Sequence, residues 1–96
     1  MRREAFPFED NQDAYAVERL KMLALAFQQR DSAFITWALD DLAHHKGITK
    51  VAAETGITAG GLYKALTKDG NPRLSTLLAL AKVLDFRLTV EPIPKE

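Results

Sequence analysis

The sequence predicts an all-α protein in which five helices are followed by a short C-terminal β-strand. Apolar residues recur at helical spacing through most of the 96 residues, as they do in helices that bury one face. Turn signals rich in glycine, proline and asparagine separate these stretches. A chain of this length supports one domain with a modest core. We place that domain at 11–96, after an extended lead-in over 1–10.

The N-terminal half contains two predicted helices, at about 13–29 and from Asp31 to Lys46. Asp31 is expected to cap the second helix, because its short side chain can accept a hydrogen bond from a free backbone N–H. Gly47 is expected to end that helix, since glycine adopts left-handed backbone at little cost. Trp37, on the same helix, is interpreted either as a core residue or as an exposed anchor for a partner.

The C-terminal part predicts a fifth helix at about 74–85. Its apolar residues cover an arc of about 220° on a helical wheel, wider than the ~100° of a helix that buries one face. We interpret Leu80 and Val83 as a second apolar face, directed either to another part of the chain or to another molecule. The predicted core face consists of Leu74, Leu77, Leu78, Ala81 and Leu84.

Residues 86–91 alternate apolar and polar side chains, which is the period of a β-strand. No second strand is evident in the sequence, and a strand alone leaves its backbone N–H and C=O groups unpaired. We therefore expect this strand to pair with its copy in a homodimer or with a partner protein, the alternative being a solvated extended tail. The residues predicted to contact a second copy or a partner are Trp37, Leu80, Val83, Arg87, Leu88, Thr89 and Val90.

The segment 49–68 has the residue pattern of a helix-turn-helix. Such a pair of helices needs a small residue at the crossing, a glycine in the turn, an apolar residue after it, an N-cap and inward-facing apolar residues in the second helix. The sequence supplies these in order as Ala52, Gly56, Ile57, Thr58, Leu62 and Leu66. Thr49 is expected to cap the first helix. The alternative is an ordinary helical hairpin.

The second helix of this pair is the candidate for contact with DNA, since such helices enter the major groove. Arg, Gln and Asn usually read base edges there, but residues 59–61 carry almost no side chain. Either the backbone approaches DNA closely while Tyr63, Lys64 and Thr67 read the bases, or sequence-specific binding is weak or lost. The predicted DNA-contacting residues are Thr49, Lys50, Thr58, Ala59, Gly60, Gly61, Tyr63, Lys64, Thr67, Lys68 and Arg73.

Charge is distributed unevenly along the chain, although the formal net charge is zero. Residues 1–45 contain 5 basic and 8 acidic residues, giving −3, while residues 46–96 contain 8 basic and 5 acidic residues, giving +3. The C-terminal half is therefore the part suited to phosphates. A neutral chain is expected to need two copies to bind DNA well, because affinity grows with the number of phosphates contacted.

Five stretches of the chain resemble the addiction-module antidote proteins, which are short antitoxins with a phage-repressor-like helix-turn-helix of the Xre/HigA type. The stretches are 47–50, 55–58, 62–66 (Leu-Tyr-Lys-Ala-Leu), 69–72 (Asp-Gly-Asn-Pro) and 75–78. The resemblance implies a five-helix, lambda-repressor-like domain that forms a homodimer. It also implies binding to its own operator as double-stranded DNA, and neutralisation of a toxin of RelE/ParE-like fold.

The chain departs from that family's pattern at the start of the recognition helix. The family usually has Ser or Thr, then Arg or Pro, then Glu or a small polar residue. Here Thr58 is kept, but Ala59, Gly60 and Gly61 replace the rest. The departure affects DNA specificity more than the fold.

No pattern for catalysis is evident, and we expect a protein that is not an enzyme and uses no cofactor or metal. His44 and His45 are adjacent and point about 100° apart on a helix, and no metalloprotease or phosphate-loop spacing is present. No signal peptide or membrane-spanning stretch is evident, so a soluble cytoplasmic protein is expected. Two further functions stay open: a phage-type repressor without a toxin partner, and a protein-interaction module whose helix-turn-helix no longer reads DNA.

Overall fold

The computed structural model describes residues 8–67 and 69–95, and in these residues it contains five α-helices. They are α1 (Phe8–Gln28), α2 (Ser32–Lys46), α3 (Ile48–Thr55), α4 (Ala59–Ala65) and α5 (Leu74–Val83). The predicted all-α class is therefore confirmed for the described part of the chain. None of these five helices is long and apolar enough to cross a membrane.

Helices α1 and α2 form an antiparallel pair. They are joined by residues 29–31, and Arg19 of α1 binds Asp41 of α2 with an N–O distance of 2.8 Å. Asp31 caps α2 as predicted, because its carboxylate accepts a hydrogen bond from the Phe34 N–H at 3.1 Å. The pair supports the remaining helices through α2, which also packs against α3.

The start of α1 differs from the prediction. The helix begins at Phe8, so the expected extended lead-in is wrong for residues 8–10, while residues 1–7 lie outside the described part. Residues 8–10 form the first turn of α1. These residues therefore extend the helix in the N-terminal direction rather than precede it.

The core lies where α2, α3, α4 and α5 meet. Each of these helices contributes one of the four largest fully buried side chains: Leu39, Val51, Leu62 and Leu80. Leu23 of α1 belongs to the same cluster. Fully burying such a side chain contributes about 1.5–3 kcal/mol, so this cluster fixes how the short helix α4 is held.

Helix α5 buries its predicted core face only in part: Ala81 and Leu84 are 5% and 7% exposed, and Leu77 packs against the core. Leu80 and Val83 are buried in the chain's own core, so the prediction that they contact a partner is wrong, and their face is directed to another part of the chain. Leu74 and Leu78, predicted as core residues, are 66% and 53% exposed. Both strips of the helix are strongly apolar, so the sequence periodicity does not show which strip faces the core. The packing of α5 against α3 determines which residues are buried.

The strand predicted over 86–91 is not seen, because residues 86–95 form neither helix nor strand. A strand needs a paired neighbour to satisfy its backbone, and no described segment of the chain is a strand beside it. Phe86 and Leu88 are nevertheless half-buried, and the residues between and after them are exposed. Four residues of this segment were predicted to contact a partner. Of these, Leu88 is half-buried, and the others are exposed: Arg87, Thr89 and Val90.

Candidate nucleic-acid interface

The turn between α3 and α4 is built around Gly56. Its φ of 77° is left-handed backbone, and its N–H donates to the Ala52 carbonyl at 3.0 Å, which closes α3. A Cβ added at Gly56 would meet no atom within 4 Å, so the requirement for glycine comes from the backbone angle alone. The chain therefore reverses at the position that the sequence predicts.

Two threonines fasten this turn. The Thr55 hydroxyl donates to the Val51 carbonyl at 2.8 Å and accepts from the Ile57 N–H at 3.1 Å. Thr58 caps α4 as predicted, because its hydroxyl accepts from the Gly61 N–H at 3.0 Å. These hydrogen bonds satisfy N–H groups that a turn and the first turn of a helix otherwise leave without a partner.

The two glycines of α4 have different surroundings. A Cβ on Gly61 would lie 3.1 Å from Thr58 Oγ1 and 3.3 Å from Ile57 Cγ2, so glycine there makes room for the cap. A Cβ on Gly60 would meet nothing within 4 Å. Packing within the described chain thus explains Gly61 but gives no reason for Gly60, which is exposed.

Thr49 does not cap α3, contrary to the prediction. Helix α3 begins at Ile48, and its N-cap residue is Gly47, which has no side chain to make a capping hydrogen bond. Gly47, with a φ of 110°, both ends α2 and starts α3, and its carbonyl accepts from the Val51 N–H at 2.9 Å. Thr49 therefore falls inside the first turn of α3, where it is exposed.

Helix α4 has a buried flank and an open flank. Leu62 is 0% exposed and Leu66 is 4% exposed, and both belong to the core against which Ala52 packs. Tyr63, 51% exposed, and Lys64 lie on the open flank. The predicted division between inward leucines and an outward lysine is observed.

A polar depression lies between the open flank of α4 and the start of α5. Four of the predicted DNA-contacting residues line it: Gly61, Lys64, Thr67 and Arg73. Ser75, Thr76 and the acidic Asp69 also line it. Two cations beside three hydroxyl groups form a set of donors suited to phosphate oxygens.

The other predicted DNA-contacting residues do not line this depression. Thr49 and Lys50 lie exposed in the first turn of α3. Tyr63 faces a different groove, described next. The start of α4 holds Thr58, Ala59 and Gly60. Lys68 lies outside the described residues.

A second groove separates α4 from α2. Trp37, 55% exposed, lines it together with Tyr63, so the exposed alternative for Trp37 is the one observed. The His44 ring centre lies 5.9 Å from that of Tyr63, and His44 Nδ1 lies 3.1 Å from Asp40 Oδ1. Sequence reasoning missed Asp40 and His44 as site residues. Their helical spacing from Trp37, at 37, 40 and 44, places all three on one face and was the available signal.

Comparison with known proteins assigns the chain to a family. The family model described as "Probable addiction module antidote protein" matches residues 10–92. The chain belongs to this family. The chain is also 34% identical over 64 residues to an uncharacterized protein of Haemophilus influenzae, and this stretch covers 67% of the present chain and 66% of that relative. No solved structure matches the chain.

The family match includes all five described helices except the first two residues of α1. No group of three or more His, Asp or Glu side chains in the described residues is placed to hold a metal ion.

Proposed function

We propose that this protein is a DNA-binding antitoxin. In this proposal the open flank of α4 contacts the operator of its own gene, and a separate surface neutralises a RelE/ParE-like toxin. The observation that carries DNA binding is the exposure of Lys64 on a helix whose opposite flank is held in the core, beside a depression that Arg73 also lines. The domain is then of the lambda-repressor-like type and works in the cytoplasm as a homodimer. It is neither an enzyme nor dependent on a cofactor.

The proposed docking explains why position 60 is a glycine. Because Gly60 presents only backbone at an open surface, α4 can approach base edges more closely than a helix with a long side chain at this position. Tyr63 and Lys64 then supply a hydroxyl and an ammonium group to base edges or phosphates. Close backbone approach is a common reason for glycine at a binding surface.

The depression between α4 and α5 supplies the phosphate contacts in this proposal. Lys64 and Arg73 border it, and the hydroxyls of Ser75 and Thr76 add uncharged donors. Each cation that meets a phosphate releases counterions, and this release supplies much of the affinity for DNA. Since the net charge of one chain is zero, a homodimer gains by doubling these few contacts.

The DNA half of the proposal is tested by gel-shift with the DNA upstream of the gene, at several salt concentrations. Lys64→Ala is expected to weaken binding and to lower the slope of log K against log salt by about one for each copy. Lys21→Ala is the matched control, because Lys21 is exposed on α1 and its substitution removes the same charge. Unchanged binding with Lys64→Ala, or an equal loss in both variants, contradicts the docking.

The toxin half is tested by looking for a toxin-sized reading frame beside the gene and co-expressing its product with this protein. The wild-type protein and Lys64→Ala are both expected to relieve growth arrest by the toxin, because DNA contact and neutralisation use different surfaces in this proposal. Growth arrest that the wild-type protein does not relieve contradicts the antitoxin role. If DNA binding is kept in that case, a phage-type repressor without a toxin partner is favoured.

A second candidate is a protein-interaction module that no longer reads DNA. Two observations favour it: residues 59–61 offer no side chain for paired hydrogen bonds to bases, and Trp37 and Tyr63 expose aromatic surface in the neighbouring groove. This candidate predicts no gel-shift even at low salt, with relief of the toxin retained. Trp37→Ala is then expected to abolish that relief.

A further inference from the structure

The C-terminal segment, defined here as residues 86–91, has backbone groups available for a partner. The Phe86 N–H donates to the Ala81 carbonyl at 3.0 Å. Beyond it, no backbone hydrogen bond joins residues 87–95 to another described residue. Burial alternates over the first four residues of the segment, since Phe86 and Leu88 are half-buried while Arg87 and Thr89 are exposed. This period of two is that of a strand that has one covered face and no paired neighbour.

We infer that the C-terminal segment pairs antiparallel with the same segment of a second copy, with Thr89 on the twofold axis. This register places Arg87 of one copy directly opposite Glu91 of the other, so a single ribbon contains two pairs of opposite charge. It also places Leu88 opposite Val90, which gives two apolar pairs on the other face. Opposite charges and apolar side chains directly across an antiparallel ladder are the pairs that stabilise it.

Neighbouring registers lack this complementarity. A ribbon centred on Leu88 places Asp85 opposite Glu91, which are like charges. A ribbon centred on Val90 places Arg87 opposite Ile93 and Glu91 opposite Thr89, so neither charge faces an opposite charge. A ribbon whose twofold axis passes between two residues places apolar side chains opposite polar ones, because side chains alternate between the two faces of a strand. Charge and periodicity therefore select the register centred on Thr89.

Helix α1 gives the ribbon a surface to rest on. Phe86 and Leu88 line a groove with Leu20, Leu23 and other residues of α1. Phe27, also in this groove, remains 38% exposed. A two-stranded ribbon in water is only marginally stable without such cover. Val90, 94% exposed in the single chain, lies on the apolar face of the proposed ribbon and is covered there beside Leu88 of the second copy.

A charge swap tests the register, using sedimentation equilibrium of the full chain without DNA or toxin. Arg87→Glu and Glu91→Arg each turn both charge pairs into like pairs, and each is expected to weaken the dimer by about tenfold or more. The double variant R87E/E91R restores opposite pairs and is expected to return the dimer to near its wild-type affinity. Lys95→Glu, which makes the same charge change as Arg87→Glu outside the ribbon, is the matched control and is expected to have no effect.

A single cysteine gives an independent readout, because the chain contains none. Thr89 opposes its own copy on the axis, at a separation that a disulfide spans. Thr89→Cys is therefore expected to form a covalent dimer on oxidation, and the control Lys95→Cys is not. A T89C protein that stays uncrosslinked, or a double charge variant that does not recover, overturns this register.

The inference rests on the homodimer proposed above but not on DNA or toxin binding. Different results would therefore contradict this inference and the proposed function. A wild-type chain that is monomeric at the concentrations where it binds its operator overturns both the homodimer and this ribbon. A dimer indifferent to Arg87→Glu and Glu91→Arg overturns the ribbon alone. If those substitutions leave the dimer intact but abolish toxin binding, the segment pairs with the toxin instead, and the inference is again wrong.

Discussion

Gly60 and Gly61 are adjacent but contribute to α4 in different ways. Gly61 lies under the cap, where a Cβ would crowd Thr58 Oγ1 at 3.1 Å, whereas a Cβ on Gly60 would point into open space. Glycine inside a helix costs roughly 1 kcal/mol relative to alanine. Retaining glycine at an uncrowded helical position therefore suggests a use outside the fold, and close approach of the backbone to DNA is that use in our proposal.

Gly60→Ala is expected to stabilise the protein by about 0.5–1 kcal/mol, since it adds helix propensity without a clash. The same substitution is expected to weaken operator binding, because the methyl group holds α4 away from the bases. Denaturant unfolding and gel-shift measure the two effects. Gly61→Ala is the comparison, and it should gain less stability or lose some because Thr58 must shift. Unchanged DNA affinity in Gly60→Ala would remove the functional explanation for that glycine.

Helices α1 and α5 end with the same backbone arrangement, which the sequence did not predict. Two residues after the end of α1 and of α5, the chain has a non-glycine residue with left-handed backbone: Arg30 with a φ of 56° and Asp85 with a φ of 63°. After each of them an N–H reaches back into the helix, as in a Schellman motif. The two hydrogen bonds are Asp31 N–H to Ala26 O at 3.3 Å and Phe86 N–H to Ala81 O at 3.0 Å.

Arg30→Gly is expected to raise the free energy of unfolding by about 0.5–1 kcal/mol, because a left-handed L-residue carries a steric cost that glycine avoids. Lys21→Gly is the control. It lies within α1, and glycine there is expected to lower stability by about 1 kcal/mol. Denaturant unfolding of both variants gives the comparison. A destabilised Arg30→Gly would mean that the arginine side chain supports the α1–α2 connection.

Local chemistry explains which elements were predictable from sequence. Asp31, Gly56 and Thr58 act through hydrogen bonds and backbone angles within a few residues, so their roles as caps and turn are readable from the chain. The core face of α5 depends on which strip meets α3, and the fate of 86–91 depends on a partner strand. Neither the packing of α5 nor the presence of a partner strand can be read from residues nearby in the sequence.

At the scale of the whole molecule, the side chains suited to DNA and those suited to protein partners lie in different parts of the chain. Lys64 and Arg73 border a polar depression at the α4–α5 junction. Exposed apolar side chains also occur on α1 and in the C-terminal part, among them Tyr15, Met22, Leu25, Val90 and Ile93. The first surface suits phosphates, and the second suits proteins.

The candidate site was predictable in part at this scale. Lys64 was identified because the helix-turn-helix pattern assigns an outward face to the second helix, and Arg73 because it is a basic residue near that helix, suited to phosphate. Asp40 and His44 were missed because their place in the site depends on α2 and α4 meeting in space. The use of Lys46 to join three helices was also missed. Its ammonium donates to the Val83 carbonyl at 2.8 Å and lies 3.4 Å from Glu54 Oε1.

The most direct test of the proposed docking is an amide chemical-shift titration of the isotope-labelled protein with its operator DNA. We predict that the largest shifts fall on residues 59–64, with Thr67 and Arg73, while α1 and the C-terminal segment stay unchanged apart from uniform broadening. Largest shifts on α1, on the C-terminal segment or along the α2 side of the Trp37 groove would contradict the account, as would a titration that shifts no amide at low salt.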